Sequence, residues 1–186
     1  MHQILKKFYA VTDRKQFKYD FETQIKKMLD SGIRFFQLRE KDLSSFELFR
    51  YAKLMEKLLK GYDAFFTVNE RVDIAVMTGA VGVHLPENSF PISVVKQKFP
   101  DLIVGKSCHS LDSAVEAEKE GADYIFFSPV FESPGKGKPV GLDKLREVVE
   151  NINIPVYALG GITEDKIPDV LDTGAYGVAG IRLFIK

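Results

Sequence analysis

Two glycine-containing segments near the end of the chain have the chemistry of a phosphate-binding site. Gly160 and Gly161 directly follow the short apolar run Val156–Leu159, and Gly180 ends a second apolar run. Glycines leave backbone N–H groups uncovered by side chains, and such groups can surround a phosphate dianion. Each run is too short for a helix and predicts a buried strand. We therefore expect a phosphate to bind where the last two strands end.

Cationic side chains follow another predicted strand. Arg39 and Lys41 occupy alternate positions there, and Lys136 and Arg182 lie in two later loops. Taken alone, the Arg39-Glu40-Lys41 segment is typical of a solvated surface turn. Its position at a strand end, together with the paired glycines, favours a binding role instead. These cations predict a substrate that carries one or more anionic groups.

Eight apolar runs alternate with seven helical patterns along the chain. This alternation predicts a parallel sheet covered by helices, and eight such strands close into a (β/α)8 TIM barrel. We expect one domain over residues 1–186, and a doubly wound open sheet is the alternative. In a barrel the functional groups lie at the C-terminal ends of the strands. Further candidates at these ends are Gln37, Asn69, Glu70, His84, Ser107, His109 and Ser133.

A glycine recurs where predicted helices give way to strands, at Gly32, Gly79, Gly121 and Gly174. These glycines precede the second, fourth, sixth and eighth strands, which indicates four similar quarters and supports closure of the barrel. No pattern of an eighth helix follows the eighth strand. We expect residues 183–185 to form an uncovered apolar flank that a second subunit buries, and hence a homodimer.

The composition excludes several other classes of protein. Twenty-six basic residues balance 26 acidic ones, so no basic surface predicts binding to nucleic acid or to a membrane. No apolar run approaches the ~18 residues of a membrane span, and the N-terminus lacks the pattern of a signal peptide. Cys108 is the single cysteine, which excludes an internal disulfide framework and suits a reducing compartment. We expect a cytoplasmic protein.

Several motifs resemble those of the thiamine phosphate synthase superfamily, which includes the TenI-like proteins. They follow the order of that family and cover nearly the whole chain. The motifs are Tyr9-x-Val11-Thr12-Asp13, Gln37-Leu38-Arg39-Glu40-Lys41, Val68-Asn69-x-Arg71-Val72-Asp73, Gly82-Val83-His84-Leu85, Gly105-x-Ser107-x-His109-Ser110, Gly121-Ala122-Asp123-Tyr124-Ile125 and Ala158-x-Gly160-Gly161-Ile162. The resemblance implies a TIM barrel that binds a thiazole phosphate.

If the chain is a synthase, the resemblance also implies a diphosphate site and Mg²⁺. Synthases join a pyrimidine diphosphate to a thiazole phosphate, and they hold the diphosphate through a Gln-x-Arg-x-Lys strand end, an Asn and the metal. The residues that match this set are Gln37, Arg39, Lys41 and Asn69. The two Asp ligands of the metal are replaced here by Glu70 and Ser89. Of these two, Glu70 is the candidate ligand, because a serine is a poor substitute for a charged oxygen donor.

Other segments are more similar to TenI proteins, among them Gly105-Lys106-Ser107-Cys108-His109 and Val130-Phe131-Glu132-Ser133. TenI-type proteins move a proton to aromatise a thiazole carboxylate phosphate and require no metal. Thiazole tautomerase is therefore the first hypothesis, and thiamine phosphate synthase is the alternative. A third hypothesis is a non-catalytic regulator that binds thiazole phosphate or thiamine phosphate.

The resemblance assigns a role to each candidate residue. Pro129 occupies the position of a TenI histidine, so His109 becomes the candidate base, with Lys41 and Glu70 as further catalytic candidates. The thiazole phosphate is expected to bind backbone N–H groups of Gly160, Gly161, Ile181 and Arg182. A second anionic group is expected to bind Gln37, Arg39, Lys41 and Asn69, with Ser107, Ser133 and Lys136 completing the site.

Overall fold

The fold is a closed barrel of eight parallel strands, seen in a computed structural model that describes residues 4–135 and 137–185. Each strand pairs with the next in the chain, and β8 pairs with β1. The strands, β1 to β8, are Phe8–Val11, Phe35–Leu38, Phe65–Asn69, Gly82–Leu85, Ile103–Cys108, Tyr124–Phe127, Val156–Leu159 and Gly177–Gly180. The predicted TIM barrel is confirmed, and the open-sheet alternative is excluded.

Seven α-helices connect consecutive strands on the outside of the barrel. They are, from α1 to α7, Phe21–Asp30, Ser45–Leu59, Val72–Met77, Ile92–Lys98, Leu111–Lys119, Gly141–Asn151 and Ile167–Leu171. Side chains fix where several of them begin. The Asp20 carboxylate accepts from the Thr23 N–H, and Ser44 and Glu47 form a reciprocal capping box before α2.

Strand residues alternate between two apolar layers. Outward-facing residues such as Phe36 and Val68 pack against the helices, while inward-facing residues such as Phe35, Tyr124 and Tyr157 fill the barrel interior. Side chains on alternate positions of a strand point to opposite faces, so one short run supplies both layers. The interior is therefore packed with large rings and is not a pore.

The repeated glycines lie where the sequence predicts them. Gly32, Gly79, Gly121 and Gly174 each separate a helix from an even-numbered strand. A helix must end before the chain can turn back into the sheet, and glycine ends helices readily. The fourfold pattern in the sequence therefore corresponds to four βαβα quarters of the barrel.

The end of the described chain differs from the prediction. A 3-10 turn, Arg182–Phe184, follows β8, and no α-helix follows it among the described residues. Phe184 is buried and contacts the edge of the Phe8 ring, while Leu183 and Ile185 pack partly against the core. The expectation that these three residues lie uncovered is wrong, because the turn folds them onto the barrel. Phe8 keeps an exposed apolar surface, and the homodimer stays a prediction.

None of the helices in residues 4–135 and 137–185 is both long enough and apolar enough to cross a bilayer.

Candidate active site

A cavity of about 950 Å³ lies at the C-terminal ends of the strands. The sequence-predicted site residues that line it are Gln37, Arg39, Lys41, Asn69, Ser107, His109, Ser133, Gly160, Gly161, Ile181 and Arg182. Residues from six strand ends therefore meet at one mouth, as the parallel barrel requires. Lys136, also predicted to bind substrate, lies outside the described residues.

The end of β7 carries the geometry of an anion site. Gly161 has a φ of 64°, and a Cβ added to it would lie 2.2 Å from the carbonyl oxygen of Glu132. Only glycine fits such a close approach with a left-handed backbone. The backbone N–H groups of Gly161 and Ile181 donate to no group among the described residues. Unpaired N–H groups that line a cavity can bind a phosphate.

Lys166 adds a cation beside these glycines. Its ammonium group donates to the carbonyl oxygen of Gly161 at 3.2 Å and lies 4.6 Å from the centre of the Phe131 ring. The side chain also lines the cavity. The sequence interpretation missed this residue, although its position five residues after Gly161, in the loop that follows β7, could have indicated it.

The cationic loop after β2 is held by two neighbouring elements. The Arg39 N–H donates to the hydroxyl of Thr12 at 3.0 Å, which joins β2 to the end of β1. Glu40 is buried, and its carboxylate accepts from the backbone N–H and the guanidinium of Arg14. Glu40 does not line the cavity, whereas Arg39 and Lys41 on either side of it both do. The loop is thus held by hydrogen bonds to the end of β1 and to the segment that follows it.

Gln37 lies beneath that loop and is 1% exposed. Its amide nitrogen has no hydrogen-bond partner among the described residues, although the side chain lines the cavity. A buried donor without a partner costs free energy, so such donors commonly mark a place where a ligand binds. This observation supports a ligand acceptor atom near Gln37.

His109 has one ring nitrogen available for acid-base chemistry. Its Nδ1 lies 2.6 Å from the carbonyl oxygen of Ser128. A carbonyl oxygen only accepts, so Nδ1 carries the proton and donates it, which leaves Nε2 of the neutral ring as the basic atom. The side chain is exposed and lines the cavity. The geometry is thus that of an accessible base.

His84, in contrast to His109, is not an accessible base. It is 2% exposed, and its ring contacts the Ser107 hydroxyl at 2.9 Å and the Tyr124 hydroxyl at 3.2 Å. Burial, with Arg39 and Lys106 nearby, lowers the pKa of His84 to about 3. His84 is therefore neutral at pH 7 and does not act as a cation.

Three further residues bear on reactivity at this mouth. Glu70 is exposed, with a φ of 63°, and does not line the cavity. Glu87, which the sequence interpretation did not single out, does line it and accepts from the His109 N–H at 3.2 Å. Its position two residues after β4 was the available signal. Burial raises the pKa of Cys108 to about 12, so its thiol stays protonated and is a core group.

Comparison with known proteins assigns the family. A family model described as thiamine monophosphate synthase matches residues 8–184. A protein of Aquifex aeolicus named putative thiamine-phosphate synthase 2 is 52% identical over 98% of this chain and 99% of its own. A thiamine-phosphate synthase of Pyrococcus furiosus is 41% identical, over 94% and 84% respectively.

A solved structure agrees with these relatives. Thiamine phosphate pyrophosphorylase from Pyrococcus furiosus superposes with a TM-score of 0.89 at 39% identity, over 97% of this chain and 88% of that one. The resemblance drawn from the motifs is confirmed, and with it the prediction of an enzyme family of thiamine biosynthesis. The chain belongs to the thiamine monophosphate synthase family.

Proposed function

We propose that the protein is a thiamine phosphate synthase, which joins a pyrimidine methyl diphosphate to a thiazole phosphate. The observation that carries this proposal is the pair of anion-binding groups in one cavity, on either side of β1. Arg39 and Lys41 follow β2, whereas the unpaired N–H groups of Gly161 and Ile181 follow β7 and β8. The names of the relatives favour this activity over the tautomerase that the motifs alone ranked first.

In this reaction the C–O bond between the pyrimidine methylene and the diphosphate breaks, and pyrophosphate leaves with the bonding electron pair. The thiazole nitrogen then forms the new C–N bond to that methylene. Arg39 and Lys41 bind the departing diphosphate, so they stabilise the negative charge that grows on it. Gln37 donates its free amide N–H to the same substrate. The N–H groups of Gly161 and Ile181 hold the thiazole phosphate and thereby orient the nucleophile.

Magnesium fits this cavity only together with the diphosphate. Among the described residues no group of three His, Cys, Asp or Glu side chains forms a metal site. Mg²⁺ commonly uses one or two protein oxygens and completes its shell with phosphate oxygens and water. The Glu87 carboxylate and the Asn69 amide oxygen, which both line the cavity, are such donors. The bound ion would neutralise charge on the diphosphate, and Glu87 takes the place first given to Glu70.

A thiazole tautomerase is the second candidate, and one observation favours it. Nε2 of His109 has no hydrogen-bond partner among the described residues, whereas Asp is absent from the two positions at which the family binds its metal. A tautomerase needs a base of this kind and no metal. A regulator without activity would use the same anion-binding groups but would need neither the base nor the metal.

The coupling reaction tests the proposal directly. The protein is incubated with the pyrimidine diphosphate, the thiazole phosphate and Mg²⁺, and thiamine phosphate is measured. A synthase is supported if the protein turns over these substrates and Arg39→Met reduces the turnover at least tenfold. Lys15→Met, on the exposed surface, should leave the turnover unchanged. The second candidate would be established if no thiamine phosphate forms and the protein instead converts the thiazole carboxylate phosphate tautomer in a reaction that depends on His109. Binding of thiazole phosphate without either reaction would leave the regulator.

A further inference from the structure

A chain of hydrogen-bonded polar groups crosses the interior of the barrel to the cavity floor. The Tyr9 hydroxyl contacts the Thr67 hydroxyl at 2.6 Å and the Tyr124 hydroxyl at 2.8 Å. Tyr124 contacts His84 Nδ1 at 3.2 Å, and His84 Nε2 contacts the Ser107 hydroxyl at 2.9 Å. The first four groups are buried, and Ser107 lines the cavity. This hydrogen-bonded chain therefore has a closed end, which is buried at Thr67, and an open end, which is Ser107 at the cavity.

The number of protons limits the arrangements of this hydrogen-bonded chain. Four hydroxyls and one ring N–H of neutral His84 supply five protons, while four hydrogen bonds join the five groups. Each group has one proton, so if one group donates towards the cavity, every group between it and Thr67 must do the same. Likewise, if one group donates away from the cavity, every group between it and Ser107 must do the same. One proton is left over. It lies on Ser107 at the open end when Nε2 of His84 carries the ring proton, and on one of the three buried hydroxyls when Nδ1 carries it.

The surroundings of the two ends differ. Thr67 is 0% exposed, and of the hydrogen bonds that the described residues form, its hydroxyl takes part in one, to Tyr9. A proton left on Thr67, Tyr9 or Tyr124 would have no acceptor beyond these five groups among the hydrogen bonds of the described residues, which costs free energy. A proton left on Ser107 faces the cavity, where water or substrate can accept it. The direction from Thr67 towards Ser107 is therefore favoured.

We propose that Tyr9 and Tyr124 hold His84 in the tautomer with its proton on Nε2, so that Ser107 accepts from His84 and presents its own hydroxyl proton to the substrate. His84 and Tyr124 are positioning residues in this arrangement, and neither needs to touch the substrate. Ser107 becomes a donor of fixed direction, which suits an acceptor atom of an anionic ligand. The role of Ser107 rests on the proposed function, whereas the tautomer of His84 does not.

The backbone of β5 is adapted to this arrangement. A Cβ added to Gly105 would lie 2.1 Å from the Tyr124 ring and 2.5 Å from its hydroxyl. The phenol therefore occupies the space of a missing side chain, which lets its hydroxyl reach both Tyr9 and His84. The His84 ring is also held by the Phe126 ring, with centroids 4.1 Å apart. These contacts fix the positions of the groups before a ligand binds.

The tautomer can be measured in the ligand-free protein. The chain has three histidines, so a His2→Gln, His109→Gln variant leaves His84 as the one ring to observe. Its ¹⁵N chemical shifts at pH 7 distinguish a proton on Nε2 from one on Nδ1. We expect a protonated Nε2 and an unprotonated Nδ1. A proton on Nδ1 would overturn the proposal, because Ser107 would then donate to His84.

Binding tests the consequence for Ser107. Tyr124→Phe removes the proton that Nδ1 accepts, and we expect the affinity for thiamine phosphate to fall about five- to tenfold. Tyr157→Phe is the matched control, because the Tyr157 hydroxyl donates to the Lys6 carbonyl and takes no part in the hydrogen-bonded chain to Ser107. Ser107→Ala should cause a similar loss, and the double variant no further loss. Additive losses would contradict the link between the two residues.

The two proposals can fail separately. If the coupling reaction is absent but Nε2 of His84 carries the proton, the proposed synthase fails and the positioning chain stands. If coupling occurs but Nδ1 carries the proton, the reverse holds. Both measurements use the full chain at pH 7, and the NMR spectra also show whether the variant is folded.

Discussion

Glu40 accepts hydrogen bonds from Arg14 through both of its carboxylate oxygens, at 3.0 and 3.1 Å from the backbone N–H. The Arg14 guanidinium also donates to Glu40 at 3.1 Å and to the Asp42 carboxylate at 2.6 and 2.7 Å. Glu40 lies between Arg39 and Lys41 in the chain. The loop that carries the two cavity-lining cations is therefore fastened to the segment that follows β1.

The first prediction concerns that attachment. Arg14→Met removes the cation beside a Glu40 side chain that is 1% exposed, and we expect the free energy of unfolding to fall by roughly 1–3 kcal/mol. The affinity for pyrophosphate should fall as well, because the loop loses its fixed position. Lys15→Met is the control, since the Lys15 ion pair with Asp42 is largely exposed. Urea unfolding and calorimetric titration measure both effects, and equal behaviour of the two variants would contradict the prediction.

A second prediction separates backbone strain from blockage of the phosphate site. Gly161 and Gly121 both have positive φ, but an added Cβ at Gly121 meets nothing within 4 Å. We expect Gly121→Ala to cost about 1–2 kcal/mol of stability and to leave ligand binding unchanged. Gly161→Ala should in addition displace the Glu132 carbonyl and abolish binding of thiazole phosphate. Calorimetric titration of both variants checks this, and retained binding by Gly161→Ala would remove the phosphate assignment.

Lys166 provides a third test. Because its ammonium group lies beside the Gly161 carbonyl, Lys166→Met should weaken binding of thiazole phosphate about tenfold, the effect of one charge-assisted hydrogen bond. The loss should shrink in high salt, because screening weakens the contribution of the charge in the native protein. Lys144→Met on the exposed face of α6 changes the net charge equally and should leave binding unaltered. Equal losses in the two variants would indicate a long-range effect of charge alone.

The fourth prediction follows from the neutral state of His84. Its pKa is lowered to about 3 in the folded protein, so between pH 6 and pH 3 the unfolded chain binds a proton that the folded chain does not. Stability therefore rises with pH through this window, and His84 contributes about 1.4 kcal/mol for each pH unit. His84→Asn should reduce the slope of stability against pH by that amount. An unchanged slope would show that His84 is protonated in the folded state.

Much of this molecule is predictable from local sequence. Short apolar runs bounded by glycine indicate strands, and their alternation with helices is sufficient for the closed barrel, because parallel strands need crossover connections. The ends of parallel strands lie on one side of the sheet. The sequence alone therefore predicts that Gln37, Ser107 and Gly161 lie together.

The residues that the sequence did not reveal depend on loop geometry. Glu70 directly follows β3, but a left-handed backbone turns its side chain away from the cavity. Glu87 and Lys166 lie beyond their strands, and their side chains reach the mouth only because of how each loop folds. Residues 183–185 were misjudged for the same reason. An apolar run in a sequence does not show whether a turn will fold it onto the barrel.

The overlap between Gly105 and the Tyr124 phenol also has an evolutionary consequence. Any larger residue at position 105 would occupy the space of the ring, and a smaller residue at position 124 would leave a cavity beside the glycine. Single substitutions at either position are therefore unfavourable, whereas a paired exchange can preserve the packing. Among descendants of this sequence, the two positions should change together, and a lineage that replaces the glycine should also have lost the tyrosine.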